Sequence, residues 1–266
     1  VSSLAANVAH VQERVTAAAT RAGRNPNEVH IVAVSKTHPA SMVVEVAKAG
    51  ITTVGENRVQ EAKDKQAEIA EMGPSLSPSL SSSLASLSWA MIGHLQRNKI
   101  KPAVELFGSI HSLDNVRLAT ALNRHLAERE GCTIPMPVFV QVNVSGEASK
   151  GGLELPNGVE NSEAYSRFLG EMEEILALPH LHVCGLMTMA PWLRDPVALR
   201  PVFRNLRLLR DNLAARYATS PADWSGLSMG MTDDFEIAIE EGATHVRIGR
   251  AIFGERACRL NPAPSG

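Results

Sequence analysis

Strand-length apolar runs alternate with helical stripes along nearly the whole chain, and strict alternation of this kind leaves few folds open. The pattern predicts strands from Ile31 to Val34, Thr52 to Val54, Trp89 to Ile92, Phe107 to His111, Val138 to Val144, His182 to Met189, Trp224 to Met229 and His245 to Ile248. Helical stripes fall between them: Leu118, Leu122 and Leu126 after a capping Asp114; Ala164, Phe168, Met172 and Ile175; Val202, Leu206, Leu209 and Leu213; and a short helix from Asp234 to Glu241. Other helices are expected after Pro39 up to Gly50, after Arg58 to near Met72, and through Lys99 to Glu105. One more stripe, Leu4, Val8, Val11, Val15 and Ala18, precedes the first strand, with Ser2 or Ser3 to cap it and Gly23 to end it. A closed eight-stranded barrel and an open doubly wound sheet both accept this order. The strand count and even spacing favour an α/β fold of one TIM-type (β/α)8 barrel with an additional N-terminal helix, residues 1–266 forming a single domain.

Residues 73–88 break the rhythm. They are serine-rich, uncharged and punctuated by proline, so they are expected to be a mobile surface insertion. A domain linker is the alternative, but too little chain precedes it to complete a core.

Composition narrows the function. A chain that is 44% hydrophobic and 20% charged reads as a soluble globular protein. A net charge of −2 offers no broad basic field for nucleic acid or an anionic membrane. No apolar run is long enough to span a bilayer, and the N-terminus shows no signal pattern. Cys132, Cys184 and Cys258 are odd in number and far apart, which suggests neither a disulfide framework nor a zinc site and points to a reducing, cytoplasmic home. Cys184, in a predicted core strand, reads as packing. His38, His94 and His111 fall near strand ends, but their spacing makes no compact ligand motif, so no catalytic metal is expected.

Barrel chemistry sits at the carboxyl ends of the strands, and phosphate sites recur after the last two. Three features gather there. Lys36 ends the first strand, where the ordinary reading of a lone lysine is an exposed one. After the seventh strand, Gly230 permits close backbone approach, Ser228 and Thr232 offer hydroxyls, and Asp233 with Glu236 resembles a capping box; the ordinary reading is a capped βα turn. In the eighth strand Arg247 alternates with Val246 and Ile248, so its guanidinium points inward; the ordinary reading is a salt bridge to Glu241 or Asp234. Gly249 follows, suited to a backbone close to a phosphate. Strands one and eight are neighbours in a closed barrel. Together these residues describe a site for a phosphorylated aldehyde held as an imine on Lys36.

The segments Val32–Thr37, Gly55–Glu61, Ile92–Lys99, Gly185–Met189, Ser228–Asp234 and Val246–Gly254 resemble, in order, those of the pyridoxal phosphate homeostasis protein family, which is itself similar to the N-terminal barrel of alanine racemase. The resemblance runs from Ile31 to Arg256, and only the serine-rich stretch falls outside it. It implies that Lys36 carries pyridoxal 5′-phosphate as an imine. It further implies that Ser228, the backbone of Met229, Gly230 and Met231, and the Gly249–Arg250 turn hold the phosphate, with Arg247 facing the pyridine nitrogen and Asn57 near the ring. Arg250 departs from the small, often hydroxyl-bearing residue usual in the family after that glycine, which puts a hydroxyl contact to the phosphate in doubt.

The resemblance implies a carrier that buffers the cofactor and surrenders it to apo-enzymes, without substantial catalysis of its own. The alternative is an amino-acid racemase. Racemisation needs an acid/base on each face of the substrate, and Lys36 supplies only one. In alanine racemase the other is a tyrosine from a second domain; here the chain ends soon after the last strand, and Tyr165 and Tyr217 lie in predicted helices. Expected partners are pyridoxal phosphate and apo-enzymes, with no nucleic acid or membrane, and the protein is expected to be a monomer.

Overall fold

The computed structural model describes residues 3–129, 134–147, 151–155, 162–191 and 195–255. Ser2, Cys132, Cys258 and Arg256 lie outside the described residues. The strands are β1 (His30–Val34), β2 (Thr53–Glu56), β3 (Ser88–Met91), β4 (Ser109–Leu113), β5 (Met136–Asn143), β6 (Leu153–Glu154), β7 (Leu181–Met187), β8 (Gly226–Ser228) and β9 (His245–Ile248). All pairings are parallel, in the order β4-β3-β2-β1-β9-β8-β7-β5, and a β4–β5 pairing closes the ring into the expected eight-stranded barrel. The two-residue β6, not foreseen, adds to β5 at Val142 and Asn143.

Register sorts the strand residues into two layers. Val32 pairs with both Thr53 and Arg247, and His30 with His245, so these share the inner face. Ile31, Ala33, Val54 and Ile248 take the outer face, against the helices. That is why the β1 run is apolar throughout: in a barrel wrapped by helices both faces are buried. The outer layer is continuous with helical residues such as Phe168, Met172, Phe203 and Leu213, each fully buried. Such side chains contribute roughly 1.5–3 kcal/mol apiece.

The helices are α1 (Leu4–Arg21), α2 (Ala40–Lys48), α3 (Val59–Met72), α4 (Pro78–Ala85), α5 (Ile100–Leu106), α6 (Val116–Ala127), α7 (Ser162–Leu176), α8 (Arg200–Arg216), α9 (Phe235–Glu240) and α10 (Arg250–Phe253). Ser3 caps α1 by accepting from the Ala6 N–H at 3.2 Å. This leading helix buries Val8, Val11, Val15, Ala18 and Ala19 and packs on α9 and α10. Asn7 reaches the Ile252 carbonyl at 2.9 Å, and Arg24 reaches the carbonyls of Ile239 and Ala243 at 2.8 Å. The extra helix thus braces the two βα units that close the barrel.

Two local features differ from the sequence reading. The serine-rich stretch carries a helix that the reading did not place: Ser77 caps α4, Pro78 occupies its first turn, Leu80 is buried, and the helix lies against α2. Leu80, Leu84 and Leu87, spaced four and three apart, face the core. The high serine content masked that stripe. The cap of α6 is Asn115, accepting from the Leu118 N–H at 2.8 Å, and not Asp114, which is engaged elsewhere.

Among the described residues, no helix is long and apolar enough to cross a membrane, and no group of three His, Cys, Asp or Glu could hold a metal ion.

Candidate functional site

β1 ends at Val34, and the chain turns at once. Lys36 stands two residues past the end of β1, at the carboxyl end of the barrel, and is half-buried. The next residue, Thr37, has φ of 70°, the one positive φ at a non-glycine among the described residues. A β-branched residue in that region is strained and needs surrounding structure to hold it.

That structure comes from β2 and α3. Glu56, the last residue of β2, is fully buried on the outer side of the barrel. Its Oε1 accepts from the Ser35 hydroxyl at 2.6 Å and from Lys65 Nζ at 2.6 Å. Lys65, buried on the inner face of α3, also donates to the Ser35 carbonyl at 2.7 Å and to Glu61 at 2.8 Å. Glu61 accepts from the Thr37 N–H. Burial pushes the Glu56 carboxyl up, against the opposing bonds from Lys65 and Ser35. Burial also acts on Glu61, but Lys65 and the Thr37 N–H outweigh it and leave that carboxyl below its usual range. Sequence reasoning gave these residues no role. The visible signal was the i,i+4 pair Glu61 and Lys65, with a lysine on the helix face that carries Val59 and Ala62.

On the far side of β1, Arg247 is buried within the barrel, as its alternation predicts. Its partners are not the expected Glu241 or Asp234 carboxylates. Nη1 donates to Ser228 Oγ at 2.8 Å and Nη2 to the Thr188 carbonyl at 2.8 Å. Ser228 Oγ lies 3.0 Å from His111 Nδ1, so the hydroxyl can accept from the guanidinium and donate to the imidazole. Burial draws Arg247 down to about 10, with Asp234 opposing, so it is a cation at neutral pH. Burial beside His245 and Arg247 holds His111 well below the usual histidine range and therefore neutral. Desolvation, with His30 and Arg247 nearby, draws half-buried His245 down to about 4. Glu241 instead meets Arg200 at 3.0 Å and Arg204 at 3.3 Å on the outer surface.

The turn after β8 departs from the expected capping box. Asp234, not Asp233, turns back, its Oδ1 accepting from the Met231 N–H at 2.5 Å. Asp233 pairs with Arg250, whose Nε also lies 3.7 Å from Glu255, so the Arg250 side chain is turned to an exposed ion pair. The Met229 N–H is committed to the His245 carbonyl at 3.1 Å. The N–H groups of Gly230 and Gly249, and the first-turn N–H of Arg250 in α10, find no acceptor among the described residues. Gly230 has φ of 92°, and a β-carbon there would come within 2.6 Å of Ala238 Cβ, so only glycine fits. A β-carbon on Gly249 would sit 3.4 Å from the Val34 carbonyl oxygen, which places the turn after β9 directly against the end of β1.

The expected residues thus converge in part. Lys36, Arg247, Gly230, Gly249 and the Arg250 backbone lie at adjacent ends of β1, β9 and β8. Asn57 follows β2 and is half-buried; Gly93 lets the chain after β3 approach it, since a β-carbon there would lie 2.5 Å from the Asn57 carbonyl oxygen. Ser228 turns into the barrel, and the Met229 and Met231 N–H groups are spent on protein acceptors. Of the other histidines, His38 stacks on Phe253 with centroids 5.0 Å apart, and exposed His94 meets Asp114 Oδ2 at 2.5 Å. Burial raises the Cys184 thiol to about 11, an inert state in keeping with packing.

A primary amine, an inward guanidinium and unpaired backbone N–H groups at one rim can bind an aldehyde, an electron-rich ring nitrogen and an anion. Comparison with known proteins identifies the family. The family model described as alanine racemase, N-terminal domain, matches residues 5–257. A pyridoxal phosphate homeostasis protein of Pseudomonas aeruginosa is 40% identical over 256 residues, covering 96% of this chain and 97% of the relative. That of Aquifex aeolicus is 39% identical over 249 residues, covering 94% and 96%. Among solved structures, PipY of Synechococcus elongatus with PLP bound superposes with a TM-score of 0.72 at 32% identity, covering 92% of this chain and 100% of that one.

Proposed function

The chain belongs to the pyridoxal phosphate homeostasis proteins of the alanine racemase N-terminal domain family, and from that membership we propose that it binds pyridoxal 5′-phosphate through Lys36 and buffers it for delivery to apo-enzymes, without substantial catalysis of its own. The observation that supports the reading is the contact of Gly249 with Val34, because it sets the chain two residues before Lys36 against the turn that carries the free N–H groups.

The residues present fit the cofactor. When bound, the cofactor would supply an aldehyde able to form an imine with a primary amine, water leaving. Lys36 offers that amine at the mouth. The N–H groups of Gly230, Gly249 and Arg250 would suit the cofactor's phosphate, Arg247 would offer a fixed donor to the ring nitrogen, and Asn57 would lie near the ring. Ser228, through its hydroxyl, orients Arg247 in place of holding phosphate directly. Met229 and Met231 shape the turn.

The racemase alternative asks for a second acid/base opposite Lys36. Tyr165 stacks with Phe168 in α7, and the Tyr217 hydroxyl donates to Glu173 at 3.1 Å in the outer helix layer. Arg247 keeps its proton at neutral pH, so it donates a hydrogen bond to a ring nitrogen without readily transferring the proton, which makes the ring a weaker electron sink. The placement of the tyrosines favours a carrier, and the arginine by itself excludes neither reading. The odd, scattered cysteines support a reducing, cytoplasmic home, where we propose that the protein acts as a monomer.

The test is an absorption spectrum of protein incubated with pyridoxal phosphate, then borohydride reduction and peptide mapping. A yellow protein with the label on Lys36 is expected. A label elsewhere overturns the site, and Lys36-dependent racemisation of common amino acids overturns the carrier role.

A further inference from the structure

The turn that carries Lys36 is fastened on both sides to one cluster formed by the end of β2 and by α3. Before Lys36, the Ser35 carbonyl accepts from Lys65 Nζ at 2.7 Å, and the Ser35 hydroxyl donates to Glu56 at 2.6 Å. After it, the Thr37 N–H donates to Glu61, which Lys65 also holds, at 2.8 Å. A single ammonium therefore bridges both peptide flanks of Lys36 and joins two carboxylates that would otherwise repel each other.

Three observations show that this is more than incidental packing. Lys65 is 4% exposed, and a lysine is rarely buried to that extent without a specific set of partners. It uses all three of its N–H donors, on the Ser35 carbonyl, Glu56 and Glu61. The turn it secures holds Thr37 at φ 70°, a conformation that a β-branched residue leaves when its restraint is removed.

We infer that Lys65, with Glu61 and Glu56, is a positioning residue that clamps the Ser35–Thr37 turn and so aims the Lys36 amine into the barrel mouth. This rests on the reading that Lys36 binds the cofactor's aldehyde. Lys65 touches neither cofactor nor reacting atoms; it acts through the backbone on either side of Lys36.

The clamp predicts a split between two ligands. Pyridoxal phosphate needs both the N–H cradle and a correctly aimed amine. Pyridoxine 5′-phosphate, with an alcohol where the aldehyde would be, needs only the cradle. In Lys65→Met and Glu61→Ala, affinity for pyridoxal phosphate and borohydride labelling of Lys36 should fall about tenfold or more, as misplacement of a reacting group does, while affinity for pyridoxine 5′-phosphate stays at the wild-type level. Glu61→Gln keeps an acceptor for the Thr37 N–H and should restore most of the labelling. Glu61 is only partly buried, so Glu61→Ala serves if Lys65→Met fails to fold.

A second readout needs no cofactor. Amide exchange at Thr37 should quicken in Glu61→Ala. Equal losses for both ligands, or no loss for either, overturn the clamp, as does unchanged Thr37 exchange. Absence of label on Lys36 in the wild-type protein instead overturns the cofactor reading, and the exchange experiment then judges the clamp alone.

Discussion

Arg247 Nη1 donates to Ser228 Oγ at 2.8 Å inside the barrel, in a chain that continues to His111 Nδ1 at 3.0 Å. The contact converts a serine at a strand end into a support for a buried cation. Ser228→Ala leaves a guanidinium N–H and an imidazole nitrogen without their partner in a site closed to solvent. The expected loss is about 1–3 kcal/mol of unfolding free energy, the cost of an unsatisfied buried polar group. Urea unfolding measures it. A change below a few tenths of a kcal/mol would show that water replaces the hydroxyl.

Gly230 and Gly249 stand at the ends of neighbouring strands but answer differently to a methyl group. Gly230→Ala forces an alanine to φ 92° with its β-carbon 2.6 Å from Ala238 Cβ and 3.0 Å from the Phe235 backbone. Strain and overlap together should cost on the order of 2–4 kcal/mol. Gly249 has φ of −107°, and its added β-carbon would make ordinary contact with Val34. Gly249→Ala should unfold within about 1 kcal/mol of wild type. Thermal unfolding of the two variants side by side checks the contrast, and equal losses would contradict it.

The barrel was legible because period and count are local properties: β9 appears where its apolar alternation begins and ends, and Arg247 points inward as that alternation requires. Lys36 and Gly249 could be brought together from topology alone, since the first and last strands of a closed barrel adjoin. Side-chain partners were harder. The family resemblance gave Ser228 to the phosphate, but the direction of its hydroxyl depends on Arg247 and on His111, from a strand distant in sequence. Glu56 and Lys65 are nine residues apart across a strand-to-helix turn, and nothing in their spacing shows that both face Ser35. α4 was missed because serine is an indifferent helix former, although Ser77 followed by Pro78 is a start signal.

Buried His111 and half-buried His245 give the fold an acid dependence whose sign is fixed. His245 is drawn from about 6.5 in the unfolded chain to about 4 in the folded one. Between those values the unfolded chain binds a proton that the folded chain refuses, so stability is full above pH 6.5 and falls as pH drops towards 4. His111, also depressed, extends the loss to lower pH. Glu56 and Asp234, raised by burial, act in the opposite sense just above the ordinary carboxylate range, so the comparison is made against a variant. His245→Gln should flatten the decline between pH 6.5 and 4.5 by about 2 kcal/mol. Urea unfolding across that range tests it, and parallel curves for the two proteins would remove His245 from the account.

Glu56 and Lys65 should be strongly non-additive. Lys65→Met removes the cation from a site where Glu56 is fully buried and leaves its carboxylate to protonate or find water. Breaking one side of such a pair costs about 3–5 kcal/mol. Glu56→Gln alone is milder, because Lys65 retains Glu61 and the Ser35 carbonyl, and the new amide oxygen can still accept from the Ser35 hydroxyl. In the double variant, the amide that replaces the Glu56 carboxylate carries no charge to strand beside a methionine. The total loss should fall short of the sum of the single losses by roughly 1–3 kcal/mol. Urea unfolding of all four proteins closes the cycle. Additive losses would mean that Glu56 and Lys65 stabilise the fold through separate contacts and that the ion pair itself contributes nothing.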